Sequence, residues 1–134
     1  MTNHIHSVSR QPTNAELDRM AGILDEAMQD GYLGLSTDGL PLHFLANEPN
    51  LSKRIPTQYA EFDEYKKLTD VVRKHDRVWQ MTPATDDGAL TARLFMLSSG
   101  RFYDKPLKIT ALAAIDSVNN RSNLSRGLLF TNML

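Results

Sequence analysis

Ser36, Thr37 and Asp38 stand side by side after a mostly apolar run, Tyr32-Leu33-Gly34-Leu35, and His43 follows in the next stretch of chain. Hydroxyls, a carboxylate and an imidazole so close in sequence can hold a small-molecule substrate or supply ligands to a metal ion. If the run is a strand of a parallel sheet, its polar C-terminal end faces the crevice where α/β proteins bind ligands. The same residue types are good turn formers, so a strand-end turn capped by Asp38 competes with the binding role. His43 has two roles open to it: contact with substrate or metal from a loop, or packing among Leu42, Phe44 and Leu45. Gln80 lies in a second run, Val78-Trp79-Gln80-Met81-Thr82. On a strand Trp79 and Gln80 point to opposite faces, which assigns Trp79 to the core and leaves Gln80 as a substrate-side candidate.

Other combinations spell chemistry less directly. His4-Ile5-His6 on a strand would place two imidazoles on one face, able to share a metal. It sits in a polar N-terminal stretch and reads as part of a solvated arm. Asp86-Asp87 can bind a hard cation or work as acid and base. Where a helix begins, such a pair more simply satisfies the helix's positive end, and that is the role assigned. Asp116 carries the same ambiguity. Lys66-Lys67 and Arg73-Lys74, with Asp63, Glu64 and Asp70 nearby, read as the polar side of a helix rather than a nucleic-acid patch. There is no G-x-G-x-x-G and no phosphate loop.

These residues need elements to position them. Residues 1–12 are polar and aperiodic and read as a flexible arm, leaving 13–134 as one α/β segment. Thr13-x-x-Glu16 has the form of a capping box. Leu17, Met20, Ala21, Leu24, Ala27 and Met28 follow at helical spacing, and Gly31 suits the left-handed position after the helix. Residues 32–37 read as a strand. Asp38-Gly39, Pro41, Pro49 and Pro56 predict no long regular element over 38–60, and a loop of that length is usually functional or mobile. A second helix is expected from Phe62 to His75, with Tyr65, Leu68, Val71 and Val72 on one side. Residues 78–82 give a strand halted by Pro83, residues 88–99 a third helix ended by Gly100, and residues 107–114 a third strand. Asn119-Asn120 reads as a turn and Leu124–Leu134 as a last helix. Helices alternating with strands imply right-handed βαβ units and a parallel sheet. The helices can cover one face of that sheet, or both if the connections alternate sides.

Composition narrows the class without naming a chemistry. The 134 residues carry 15 basic and 16 acidic side chains, a net charge of -1, 41% hydrophobic residues and no cysteine. That is ordinary globular composition. The balanced charge gives no bulk attraction to nucleic acid or to an anionic membrane. Without cysteine there is no disulfide scaffold, thiolate zinc site or thiol catalysis. No apolar run approaches the roughly 20 residues of a membrane helix, and the first residues have no signal-peptide apolar region, so a cytoplasmic location is expected. A full (β/α)8 barrel takes about 250 residues, or about 200 at the least, so three such units are an open layer or part of something larger.

An ordered series of short matches points further. Glu26-Ala27 and Gly31-Tyr32-Leu33-Gly34-Leu35-Ser36-Thr37, then His43, then Ile55-Pro56-Thr57 with Ala60, then Leu68 and Val72 follow one another. Arg77-Val78-Trp79-Gln80 and Gly100-Arg101 with Pro106-Leu107 and Thr110 complete the series. From about residue 10 to 115 the chain resembles the N-acyl-D-amino-acid deacylase branch of the amidohydrolase superfamily. The resemblance implies a metal-dependent hydrolase on a (β/α)8 barrel that cleaves amide bonds of N-acylated D-amino acids or related small molecules. Zinc or another divalent metal would activate a bound water and polarise the substrate carbonyl. The departures are equally informative. The family's first-strand His-x-His motif lies upstream of the Gly-Leu-Ser-Thr strand and has no counterpart in the matching region. The strand that ends Thr-His-x-Arg in the family ends Gln80-Met81-Thr82-Pro83 here.

The expected fold is therefore α/β, a partial TIM-barrel-like segment of about three strands and four helices, with Ser36, Thr37, Asp38, His43 and Gln80 as candidate substrate-binding residues. His43 is the one candidate metal ligand, and no metal is expected to be bound by this chain alone. Unpaired strand edges invite a homo-oligomer or association with missing barrel segments. The alternative is a small non-catalytic α/β binding or interaction module. A truncated or degenerate gene product is a third reading.

Overall fold

The computed structural model describes residues 10–84 and 87–111, together with Leu129. Residues 1–9 of the expected arm over 1–12, the residues Thr85, Asp86 and Asp116, residues 112–114 of the expected third strand, the Asn119-Asn120 turn and the Leu124–Leu134 helix, apart from Leu129, lie outside the described residues.

Helix α1 spans Asn14–Gln29, and its first turn is built as the sequence predicts. Thr13 Oγ1 accepts from the Glu16 amide at 3.3 Å, and the Glu16 carboxylate accepts from the Thr13 amide at 2.8 Å. Arg10 grips both Glu16 oxygens, and this guanidinium with the cap holds the Glu16 carboxyl well below the usual carboxylate range. Beyond the helix Gly31 takes φ +99°, with Tyr32 N–H bonded to the Ala27 carbonyl and Gly31 N–H to that of Met28. That is a Schellman turn, which a residue without Cβ forms at least cost.

Strands β1 (Gly34–Asp38), β2 (Val78–Thr82) and β3 (Lys108–Ala111) are parallel and adjacent in chain order. Helix α2 (Phe62–Lys74) joins the first pair and helix α3 (Gly88–Met96) the second. The crossovers of parallel strands are right-handed almost without exception. Taking the strands in sequential order therefore sends every helix to the same side. Leu35, Trp79, Met81, Ile109 and Ala111 alternate onto that side and meet Leu24 of α1, Tyr65 and Val72 of α2, and Leu94 of α3. The alternative left open by the sequence is thus decided: the described helices cover one face. Ser36, Gln80, Lys108 and Thr110 emerge exposed on the other. Order and coverage are those of an arc of a βα barrel, and the fold class is α/β with an open three-stranded parallel sheet.

The strands approach closely where β1 begins. A Cβ on Gly34 would lie 1.8 Å from the Val78 carbonyl oxygen, so the position excludes any side chain. At the centre of the core Trp79 is fully buried, its ring 6.0 Å from that of Tyr65 at an interplanar angle of 45°.

Two helix faces differ from expectation. In α1 the inward stripe is Leu17, Ala21, Leu24 and Met28, while Met20 is exposed. In α2 the buried residues are Tyr65, Thr69, Val72 and Arg73, with Leu68 and Val71 only half-buried. Arg73 is therefore not on the polar side. It is 6% exposed, donates to the Leu97 carbonyl at 2.5 Å, pairs with Asp70 and stacks 4.4 Å from the Tyr103 ring centre. Its planar guanidinium serves three partners at once, which offsets the cost of burying the charge.

Helix α1 is tied to the end of α2 by Asp25, whose Oδ1 accepts from Lys74 Nζ at 2.7 Å and from His75 Nε2 at 2.8 Å. Gln29 donates to the other oxygen. The Lys74 and His75 hydrogen bonds hold the Asp25 carboxyl down at about 2. A carboxyl lowered in the folded state stabilises fully above its unfolded value, near 4, and loses that contribution as pH falls through the folded value. Urea midpoints of the natural chain and of Asp25→Asn should therefore differ at pH 6 and converge on acidification from about 4 to about 2. A gap unchanged over that range would show that the ion pair does not link the helices.

Candidate functional site

The polar candidates gather at β1 and β2 because the strands run in register. Ser36 pairs with Gln80 and Gln80 with Thr110, so the three form one row across the open face. Ser36 Oγ donates to Gln80 Oε1 at 2.6 Å. At the end of β1, Asp38 divides its carboxylate. One oxygen accepts from the Leu40 amide at 2.9 Å, the expected strand-end turn, and the other meets His43 Nδ1.

His43 does not pack among its apolar neighbours. Leu42 is 75% and Phe44 49% exposed, and the imidazole is held by Asp38 instead. A carboxylate on Nδ1 fixes the ring and leaves Nε2 as the working nitrogen, the arrangement used by general bases and by metal-bound histidines alike. The main chain of His43 anchors the β1–α2 connection: its carbonyl accepts from the Ile55 amide and from Gln58 Nε2. That connection has no long regular element, as expected. It folds back as a narrow hairpin, with Phe44 opposite Arg54 and Leu45 N–H on the Lys53 carbonyl at 2.8 Å, and then forms the short 3-10 helix Pro56–Gln58. Thr57 Oγ1 donates to the Asp38 carbonyl at 2.7 Å and Tyr65 Oη to the Thr57 carbonyl at 2.5 Å, which pins the hairpin to the sheet.

Thr37 belongs elsewhere. It faces the helices, is buried, and accepts from Trp79 Nε1 at 3.0 Å. The row Ser36–Thr37–Asp38 is thus split by the strand's two-residue period. Asp87 accepts from the Leu90 amide at 2.8 Å and caps α3, the role assigned from sequence. Thr110 was missed, although the period of two counted from the third strand's apolar residues would have found it.

The donor set bears on a metal. Asp38 and His43 are two ligands, beside the neutral Ser36 and Gln80. Among the described residues no group of three or more histidine, cysteine or acidic side chains could hold an ion. Protein zinc sites take three or four such ligands, so these residues do not fit the metal of the resembled family.

No family model and no solved structure matches the chain. Uncharacterized proteins of Mycobacterium bovis and of two strains of Mycobacterium tuberculosis are 34% identical to it over 109 residues, covering 80% of this chain and 18% of each relative. The chain therefore spans less than a fifth of the length of the curated relatives it matches. Among the described residues no helix is long and apolar enough to cross a membrane.

The assignment of Thr37 to the core can be checked directly. Thr37→Val keeps the shape and removes the acceptor, leaving a buried indole N–H unpaired at a cost of about 1–3 kcal/mol. Thr37→Ser keeps the oxygen and should cost less than about 1.5 kcal/mol. Urea unfolding of both variants measures the difference; equal losses would remove the hydrogen bond from the account.

Proposed function

We propose that this chain forms an arc of an amidohydrolase-type (β/α)8 barrel, related to the metal-dependent N-acyl-D-amino-acid deacylases, and does not hydrolyse amides by itself. The observation that carries the reading is the sheet: three parallel strands in chain order, helices on one side, and a bare polar row of Ser36, Gln80 and Thr110 on the other. In a barrel that bare face is the interior, and Asp38 and His43 stand at the C-terminal rim where barrel enzymes place their chemistry. The mycobacterial relatives are more than five times the length of the matched segment, room enough for a complete barrel.

In such a barrel a divalent metal would be held largely by residues outside those described here, and a small N-acylated substrate would meet Ser36, Asp38, His43 and Gln80. The protein works in the cytoplasm, and neither nucleic acid nor membrane is its partner. Among the described residues the outer edges of β1 and β3 have no partner strand, and they pair with further barrel segments or with other copies of the chain, because an unpaired strand edge is a template for another strand. A non-catalytic α/β binding module is the second reading; it is favoured by the small donor set at Asp38 and His43.

Two measurements test the first reading. The purified chain, given zinc and an N-acetyl-D-amino acid, should release no amine above background, and rapid chelator-sensitive turnover would overturn the proposal. Light scattering at micromolar concentration should show a dimer or larger; a clean monomer would count against the free-edge argument.

A further inference from the structure

The β1–α2 connection leaves the sheet at Gly39, whose N–H donates to the Thr82 carbonyl at 2.7 Å. It returns at the 3-10 helix Pro56–Gln58, where Thr57 Oγ1 donates to the Asp38 carbonyl and Tyr65 Oη to the Thr57 carbonyl. Between these two anchored feet runs the hairpin, residues 40–55. Its apolar residues are half-buried at most, and Leu42, Phe44 and Leu51 are open to solvent. Little apolar area is removed from water there, so packing does little to hold the hairpin down.

The ties of the hairpin converge on His43. Its imidazole meets the Asp38 carboxylate, and its carbonyl accepts from Ile55 N–H in the facing arm and from Gln58 Nε2 in the second foot. Closure also carries a cost. Asn50 is the one buried residue of the hairpin, and its Oδ1, like Gln58 Oε1, is buried without a hydrogen-bond partner among the described residues. A buried acceptor that lacks a donor opposes closure, and opening returns it to water. A segment with concentrated ties, little packing and unpaired acceptors opens at low free-energy cost.

Arg54, Thr57 and Gln58 wall one side of a cavity of about 260 Å³ that is also lined by Trp79. The indole is fully buried on the helix side of the sheet, with Nε1–H bonded to Thr37 Oγ1. We propose that the hairpin is a lid, latched by Asp38 and His43, that swings off the sheet as one unit while the core stays folded. Opening removes the wall of the cavity and lets water reach the Trp79 indole. The backbone of β2, by contrast, is paired with a strand on each side, so its amides are freed only when the sheet comes apart. The lid is a property of the fold and does not depend on the function proposed above.

Hydrogen exchange of the whole chain, followed by NMR at low urea concentrations, tests the lid. Local opening exposes little surface, so exchange through it is nearly independent of urea; global unfolding exposes much and responds steeply. The Leu45 and Ile55 amides, which bond across the hairpin to the Lys53 and His43 carbonyls, should exchange with little urea dependence. The Trp79 indole N–H should follow them, while the β2 backbone amides around it show the steep dependence. His43→Ala removes the ring and keeps the carbonyl. It should raise exchange at Leu45, Ile55 and the indole by about tenfold, the effect of losing one charge-assisted contact. Asp38→Asn keeps an acceptor for the Leu40 amide but loses the charge, and should raise exchange at the same three sites by a smaller factor. Circular dichroism checks that each variant is folded. Hairpin amides with the steep urea dependence of β2, an indole that follows β2 rather than the hairpin, or unchanged exchange in the folded variants would overturn the proposal. None of these outcomes bears on amide hydrolysis, so the two readings fail separately.

Discussion

Two parallel strands cannot be joined by a tight turn; the chain must cross over, and for L-amino acids the crossover turns to the right. With the strands in chain order, that handedness alone puts α2 and α3 on one side, and α1 packs beside α2. Everything else in the structure follows from the asymmetry it creates. The helix side becomes a core centred on Trp79, with Tyr65, Val72, Met81 and Leu94 around it. The other side is left to polar side chains, and it is there that Ser36 and Gln80 bond to each other. A parallel sheet with one bare face is unusual, because such sheets are normally covered on both. The bare face is what makes an arc of a larger ring the natural reading of this chain.

The polar groups that penetrate the helix side are few and are mostly committed. Thr37 exists there as the acceptor for the Trp79 indole, and Thr69 returns its hydroxyl to the Lys66 carbonyl. Arg73 joins the end of α3, the Tyr103 ring and Asp70, and so locks α2 to the segment that leads into β3. Against that background the buried Gln58 Oε1 stands out, without a hydrogen-bond partner among the described residues.

That hairpin is held by polar contacts more than by packing. Asp38, His43, Thr57 and Gln58 bind it to the end of β1, whereas Leu42, Phe44 and Leu51 remain exposed along it. Segments with few buried apolar contacts open at low free-energy cost. The same pairing explains why Asp38 and His43 satisfy both the bland and the chemical reading: Asp38 caps its turn with one oxygen and orients the imidazole with the other.

The sequence by itself determined what depends on near neighbours. The Thr13–Glu16 box, the Gly31 turn, the Asp87 cap and the strand character of residues 78–82 rest on residues a few positions apart, where spacing and side-chain type suffice. Alternation along β2 was enough to send Trp79 inward and Gln80 outward. Tertiary structure alone decided the rest, because those contacts join residues far apart in the chain. It chose one covered face over two, turned Thr37 into the core by register with β2, brought Ser36 to Gln80 and Thr110, and buried Arg73 against Leu97. A charge can enter a core only where distant carbonyls and rings converge to receive it, and no local pattern in the sequence records that convergence.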